Sequence, residues 1–188
     1  DKVYAEAAAD LPAFWGRIAA ENFEWYAPWD TVLDDSNAPF YKWFTGAQVN
    51  IVHNCLDRHV KGPNKNKLAL IWQSEDGNER RTFSYFSLNR RVNQMANVLK
   101  AMGVVKGDRV TIYLPRIPEV FFAMLACAKI GAIHSVIFAG FSADALTDRI
   151  DDSKSKLVIT ADGSWVNGSV FPLKDIVDRA VKFSPTIE

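Results

Sequence analysis

Apolar and polar positions alternate along this chain with two periods, one suited to strands and one to helices. Leu68 to Gln73 and Arg80 to Ser84 flank Asp76-Gly77, which predicts a strand pair joined by a turn. Ser84 or Ser87 then opens a helix whose apolar face is Leu88, Val92, Met95, Leu99 and Met102, and Gly103 supplies the stop. Val110, Ile112 and Leu114 mark a strand, and Pro118 suits the first position of the helix that follows. Val120 to Ile130 is apolar on nearly every side, which predicts a buried helix ended by Gly131. Ile133 to Phe138 reads as the next strand, and Ala139-Gly140-Phe141-Ser142 turns the chain into a helix through Leu146 and Ile150. Leu157 to Ala161 is a third strand, and Pro172 opens a last helix with Leu173, Ile176, Val177, Ala180 and Val181 on one face.

Strands separated by helical stretches imply right-handed βαβ units and a parallel sheet. In such sheets ligands collect beyond the carboxyl ends of the strands. Here those ends are Pro115-Arg116, Phe138-Ala139-Gly140 and Ala161-Asp162-Gly163.

The first 60 residues have a different texture. Five of the six tryptophans fall before residue 73, and Pro28 to Pro39 reads as irregular. Asp10 is placed to cap a short helix from Leu11 to about Glu21, with Pro12 in its first turn. Asn50 is placed to cap a second, in which Ile51, Val52, Cys55, Leu56, His59 and Val60 recur at helical spacing. Between them, Phe40 to Phe44 looks like a short strand ended by Gly46. Lys61 to Lys67 is a polar, turn-rich break. The expected fold class is therefore α/β, a partial parallel sheet with flanking helices, preceded by an aromatic-rich helical extension over residues 1–60.

Composition narrows the classes. The 188 residues are 48% hydrophobic and 12% aromatic, and 22 basic residues balance 22 acidic ones. A net charge of zero argues against a nucleic-acid or membrane-surface partner held by bulk electrostatics. Cys55 and Cys127 each lie in an apolar helical pattern, which reads as two buried thiols and fits a reducing cytoplasm. The longest apolar run, Val120 to Ala128, falls far short of the roughly 20 residues that span a bilayer.

Candidate chemistry is sparse. His53, Cys55 and His59 lie close together, but on a helix only Cys55 and His59 share a face, and two ligands make no zinc site. His134 falls in an apolar strand and reads as a hydrogen-bonded core residue. No nucleophile elbow and neither phosphate-binding glycine pattern is present. In the turn 138–142 a glycine lets the backbone approach a ligand, and Ser142 is placed to cap the next helix. From spacing alone the plainer reading, an ordinary tight βα connection, is favoured.

The same residues carry a likeness to a known family. Asn54-Cys55-Leu56-Asp57-Arg58-His59 resembles the segment that closes the N-terminal extension of the acetyl-CoA synthetase family. Lys106-Gly107-Asp108-Arg109-Val110 with Tyr113-Leu114-Pro115 resembles the first buried strand of the wider adenylate-forming superfamily. Ala123 to Phe138, Gly140-Phe141-Ser142, Asp148-Arg149-Ile150 and Leu157 to Asp162 continue the match, which covers nearly the whole chain.

The resemblance implies an AMP-forming acyl-CoA ligase whose substrates are a short carboxylic acid, ATP with Mg2+, and coenzyme A. A carboxylate attacks the α-phosphate of ATP to give an acyl-adenylate, and the CoA thiol then displaces AMP. It also implies that residues 61–188 are the first part of the AMP-binding domain, cut before the phosphate loop. No catalytic residue and no metal ligand is then expected within the chain, which alone is expected to be inactive and to hold no cofactor. An exposed sheet edge makes self-association of such a piece an expectation.

One role implied by the resemblance falls inside the chain: Phe138, Ala139 and Gly140 correspond to the segment that contacts CoA. The family pattern is Phe-Gly-Gly, so the methyl of Ala139 is expected to narrow the backbone approach. The loop after Asp162 departs further. The family places two basic residues there for the phosphates of the CoA nucleotide, whereas Gly163 to Ser169 carries no positive charge before Lys174. A lost arginine–phosphate contact costs about 1.5–3 kcal/mol of binding when nothing replaces it. Either Trp165 is the replacement, stacking on the adenine of CoA, or the enzyme tolerates weaker CoA binding. The alternative is a non-catalytic α/β nucleotide- or CoA-binding module.

Overall fold

A computed structural model describes residues 1–188 as two compact units, Asp1–Cys55 and Leu56–Glu188. In the first unit, α1 (Lys2–Ala9) and α2 (Leu11–Asn22) share Asp10. Asp10 ends α1 in an extended conformation, and its carboxylate accepts from the Ala13 amide at 2.9 Å, capping α2 where the sequence places the cap. Gly16 lets α2 lie against Val32 of β1 (Thr31–Asp34). That strand falls in the stretch read as irregular from sequence. It pairs antiparallel with β2 (Lys42–Thr45), matching Leu33 with Trp43.

The rings of Trp25, Trp29 and Phe44 meet in a triangle with centroids 5.1–5.4 Å apart, and the Trp25 indole donates to the Ala19 carbonyl. A tryptophan that buries apolar surface needs a partner for its indole N–H, and Trp25 has one. Gly46 sits at φ +82°, where any side chain would collide with the Asp30 carboxylate.

The helix expected from Asn50 onward is not a continuous α-helix. Asn50 does accept from the Val52 amide at 2.9 Å. The chain then widens into a π-helical turn, His53–Asp57, before α3 (Arg58–Lys61). The division between the two units falls inside this turn. The wider turn rotates Val52, Asn54 and Leu56 inward, leaving Ile51 and Cys55 exposed. The expectation that both thiols are buried is thus corrected for Cys55.

The second unit opens with the hairpin β3 (Leu68–Gln73) and β4 (Arg80–Ser84), turned at Gly77 as the sequence predicts. Ser84 caps α4 (Tyr85–Ala101) by accepting from the Ser87 amide, and Leu88, Val92, Ala96 and Leu99 form its buried stripe. A parallel sheet follows in the order β6-β5-β7, with β5 (Arg109–Tyr113) central, β6 (Ile133–Val136) on one side and β7 (Leu157–Thr160) on the other. Val110 is level with both His134 and Leu157. His134 is only half-buried, against the core position expected for it.

Helices cover the sheet. On one face Ile112 and Leu114 pack with Ala123 of α5 (Glu119–Ile130). On the other, Tyr113 and Ile137 pack with Leu146 and Ile150 of α6 (Ala143–Ser153) and with Leu173, Ile176, Val177 and Ala180 of α7 (Leu173–Val181). α5 was expected to be buried all round, but it buries only Phe122, Ala123, Ala126 and Cys127 and leaves Phe121 exposed. Between β7 and α7 the chain makes one more hairpin, β8 (Ser164–Val166) and β9 (Ser169–Phe171). Asn167 and Gly168 both have positive φ at its tip, the combination that a tight two-residue hairpin turn requires.

Candidate functional site

Because the three sheet strands are parallel, their carboxyl ends lie at one edge, and the turns after them gather there. The turn after β5 is held by the Trp72 indole, which donates to the Arg116 carbonyl, while the Arg81 guanidinium lies over the Trp72 ring.

The turn after β6 is held from the inside. Tyr113, the last residue of β5, is fully buried, and its hydroxyl lies 2.7 Å from the Phe141 carbonyl and 3.1 Å from that of Ala139. Both oxygens are acceptors, so the phenol proton is shared between them. Burial pushes the Tyr113 hydroxyl above its ordinary pKa, so it remains a donor through the physiological range. The Phe141 amide closes the turn on the Phe138 carbonyl at 3.1 Å. Ser142 then accepts from the Ala145 amide and caps α6, as its place in the sequence predicts.

Phe138 is 63% exposed, and its ring folds over Gly140, where an added Cβ would run into it. It meets Phe141 edge to face at 5.8 Å, and the Arg149 guanidinium caps the Phe141 ring at 4.4 Å. Ala139 packs on the apolar cluster around Tyr113. Its methyl therefore fills core space, which corrects the expectation that it narrows the exposed side of the turn.

The turn after β7 leads into the β8–β9 hairpin. Trp165 stands on β8 opposite Val170, with 67% of its surface exposed. The hairpin is anchored at its tip, where the Asn167 amide donates to the Glu75 carboxylate at 2.9 Å. Lys174, the first cation after Asp162, is paired with Asp178. The structure thus brings Phe138, Ala139 and Gly140 into one turn and places Trp165 on a separate ribbon.

Two of the histidines have local partners. His53 pairs with Glu24 at 2.6 Å, and His59 lies against the Tyr85 ring and near Asn64. Cys127 is buried in α5, and burial pushes its thiol up to about 11, which removes it as a nucleophile. No three His, Cys, Asp or Glu side chains converge as a metal site, and no helix is long and apolar enough to cross a membrane. Sequence reasoning did not single out Tyr113, because its role rests on two carbonyls 26 and 28 residues away.

The whole chain is similar to known proteins. The chain is 50% identical over its full length to an acetyl-coenzyme A synthetase of Chlorobaculum tepidum, of which it spans 28%. It is 53% identical over 182 residues to one from Gemmatimonas aurantiaca, covering 97% of this chain and 27% of that protein. Among solved structures, an acetoacetyl-CoA synthetase from Streptomyces lividans superposes with a TM-score of 0.87 at 29% identity, over 96% of this chain and 28% of that one. Residues 1–55 match the acetyl-coenzyme A synthetase N-terminus and residues 56–184 match the AMP-binding enzyme family. The chain spans little more than a quarter of these relatives' length, and it belongs to the AMP-binding enzyme family, in the branch that carries the acetyl-coenzyme A synthetase N-terminus.

Proposed function

We propose that the protein containing this chain is an AMP-forming ligase that activates acetate, or another short carboxylic acid, with Mg-ATP and passes the acyl group to coenzyme A. The observation that carries this reading is the unbroken match of all 188 residues, extension included, to acetyl-coenzyme A synthetases at 50% identity. Residues 1–60 serve as the extension and residues 61–188 as the first part of the adenylate-forming domain. When bound, coenzyme A supplies the thiol that displaces AMP.

Within this chain the turn Phe138-Ala139-Gly140 is the proposed CoA contact. Its residues suit an apolar and backbone contact: Phe138 offers an exposed ring face, and Gly140 carries no side chain. No cation stands between Asp162 and Lys174 to meet the nucleotide's phosphates, and Trp165 is proposed to offer a stacking face for its adenine instead. The charge neutralisation that ATP chemistry requires is assigned to parts of the enzyme outside residues 1–188, so this segment alone performs neither half-reaction. The missing loop cations favour a second reading, a non-catalytic module that keeps the fold.

Carboxylate-dependent exchange of labelled pyrophosphate into ATP by the full-length protein separates the two. Exchange with acetate or propionate supports the ligase and names its acid. A folded protein that exchanges with none of a panel of short acids would favour the module.

A further inference from the structure

We propose that Tyr113 is a positioning residue for the coenzyme A half-reaction: its buried hydroxyl fixes the turn 138–141 in the conformation that meets CoA. The proposal rests on the ligase reading above and deepens it. A peptide unit is planar and trans, so a carbonyl turned one way sends the following N–H the other. The Tyr113 hydroxyl draws the Ala139 carbonyl inward, at 3.1 Å, and the N–H of Gly140 is thereby directed away from the apolar cluster. The same hydroxyl draws in the Phe141 carbonyl at 2.7 Å, fixing the other end of the turn. The exposed ring of Phe138, folded over Gly140, is left on the outer side.

Nothing else bonds these two carbonyls from within the core. A tyrosine at the end of β5 therefore couples the central strand, through one proton, to the turn that follows its neighbour. Tyrosine suits the place because its ring fills the cluster of Leu146, Ile150 and Leu173 while the hydroxyl reaches the turn. Phenylalanine would pack as well and leave both carbonyls unheld.

The test uses the full-length protein and Tyr113→Phe. Three quantities are measured: pyrophosphate exchange without CoA, the KM for CoA in thioester formation, and amide hydrogen exchange over residues 138–142. Loss of one shared hydrogen bond to the turn is expected to raise KM for CoA about three- to tenfold. Hydrogen exchange in the turn should rise, and pyrophosphate exchange should stay unchanged. A control, Thr111→Val, removes the buried hydroxyl that meets Ser155 at 2.7 Å, two positions earlier on the same strand. It should lower the melting temperature and leave KM for CoA alone.

An unchanged KM for CoA in Tyr113→Phe overturns the proposal. So does a rise in KM that Thr111→Val reproduces, since general loosening would then explain it. A wild-type protein that shows no pyrophosphate exchange with any acid defeats the ligase reading itself, and the proposal falls with it. That failure appears in the wild type before any variant is made.

Discussion

The Asp57 carboxylate lies 2.7 Å from the ammonium of Lys129, 72 residues further along the chain, and it also accepts from the Asn89 amide. One acid at the end of the π-helical turn thus joins α4 and α5 at once. Both members of the ion pair are about a quarter exposed, so water screens it incompletely. Asp57→Ala should destabilise the protein by about 1–3 kcal/mol, because it removes the one acceptor that the Lys129 ammonium and the Asn89 amide share. Asp57→Asn keeps an acceptor and should cost less. Chemical denaturation of the two variants checks the order.

Asn54 is 5% exposed and closes a reciprocal pair with the backbone of Glu24, accepting from its amide at 2.8 Å and donating to its carbonyl at 3.0 Å. Asn54→Ala removes both bonds to one residue and should cost about 2 kcal/mol. Tryptophan fluorescence should register the change, since Trp25 follows Glu24 directly and packs on Trp29 and Phe44. A variant with native stability and native fluorescence would show that Glu24 is held by other means.

Trp165→Ala should raise the KM for CoA about five- to tenfold in the full-length enzyme, the scale of one base stacked on an aromatic ring. Adenylation should be unaffected. The residue is mostly exposed, so stability should move by no more than about 0.5 kcal/mol. An unchanged KM for CoA would exclude the stack.

Cys127 and Cys55 should differ sharply toward a thiol reagent. With its thiol pushed up to about 11, folded Cys127 has about one part in a thousand of thiolate at pH 8, and it is buried besides. Cys55 is exposed and should be modified first, as peptide mapping by mass spectrometry would show. The same shift carries a stability sign. Below the ordinary thiol value of 9.0 Cys127 holds its proton in both folded and unfolded chains. Between there and about 11 only the unfolded chain loses it, so this contribution to stability falls as pH rises through that window.

Local signals in the sequence were enough for many of these elements. Asp10, Ser84 and Ser142 cap the helices they precede, and the three parallel strands follow from apolar runs bounded by glycine and proline. What escaped depends on distant partners. Asn54 faces inward because Glu24, 30 residues earlier, receives it, and it does so from within a widened helical turn. Thr31 to Asp34 forms a strand because Lys42 to Thr45 pairs with it, a reason invisible in its own composition. The sidedness of α5 is likewise hidden, since Phe121 and Phe122 have the same chemistry and opposite exposure. The β8–β9 hairpin is different: Asn167-Gly168 is a local signal that the apolar pattern does not pick out. At the candidate site, the turn 138–140 was legible through resemblance, whereas the Tyr113 hydrogen bonds became visible only in three dimensions.

The bond from the Asn167 amide to Glu75 bears on binding in another way. A loop that became ordered only when a ligand arrived would consume part of the affinity in ordering. Here the segment is already a ribbon, closed by its own ladder and fastened at the tip to the β3–β4 turn. Trp165 is presented preorganised, so a flat ring that meets it gains contact with little further loss of chain entropy.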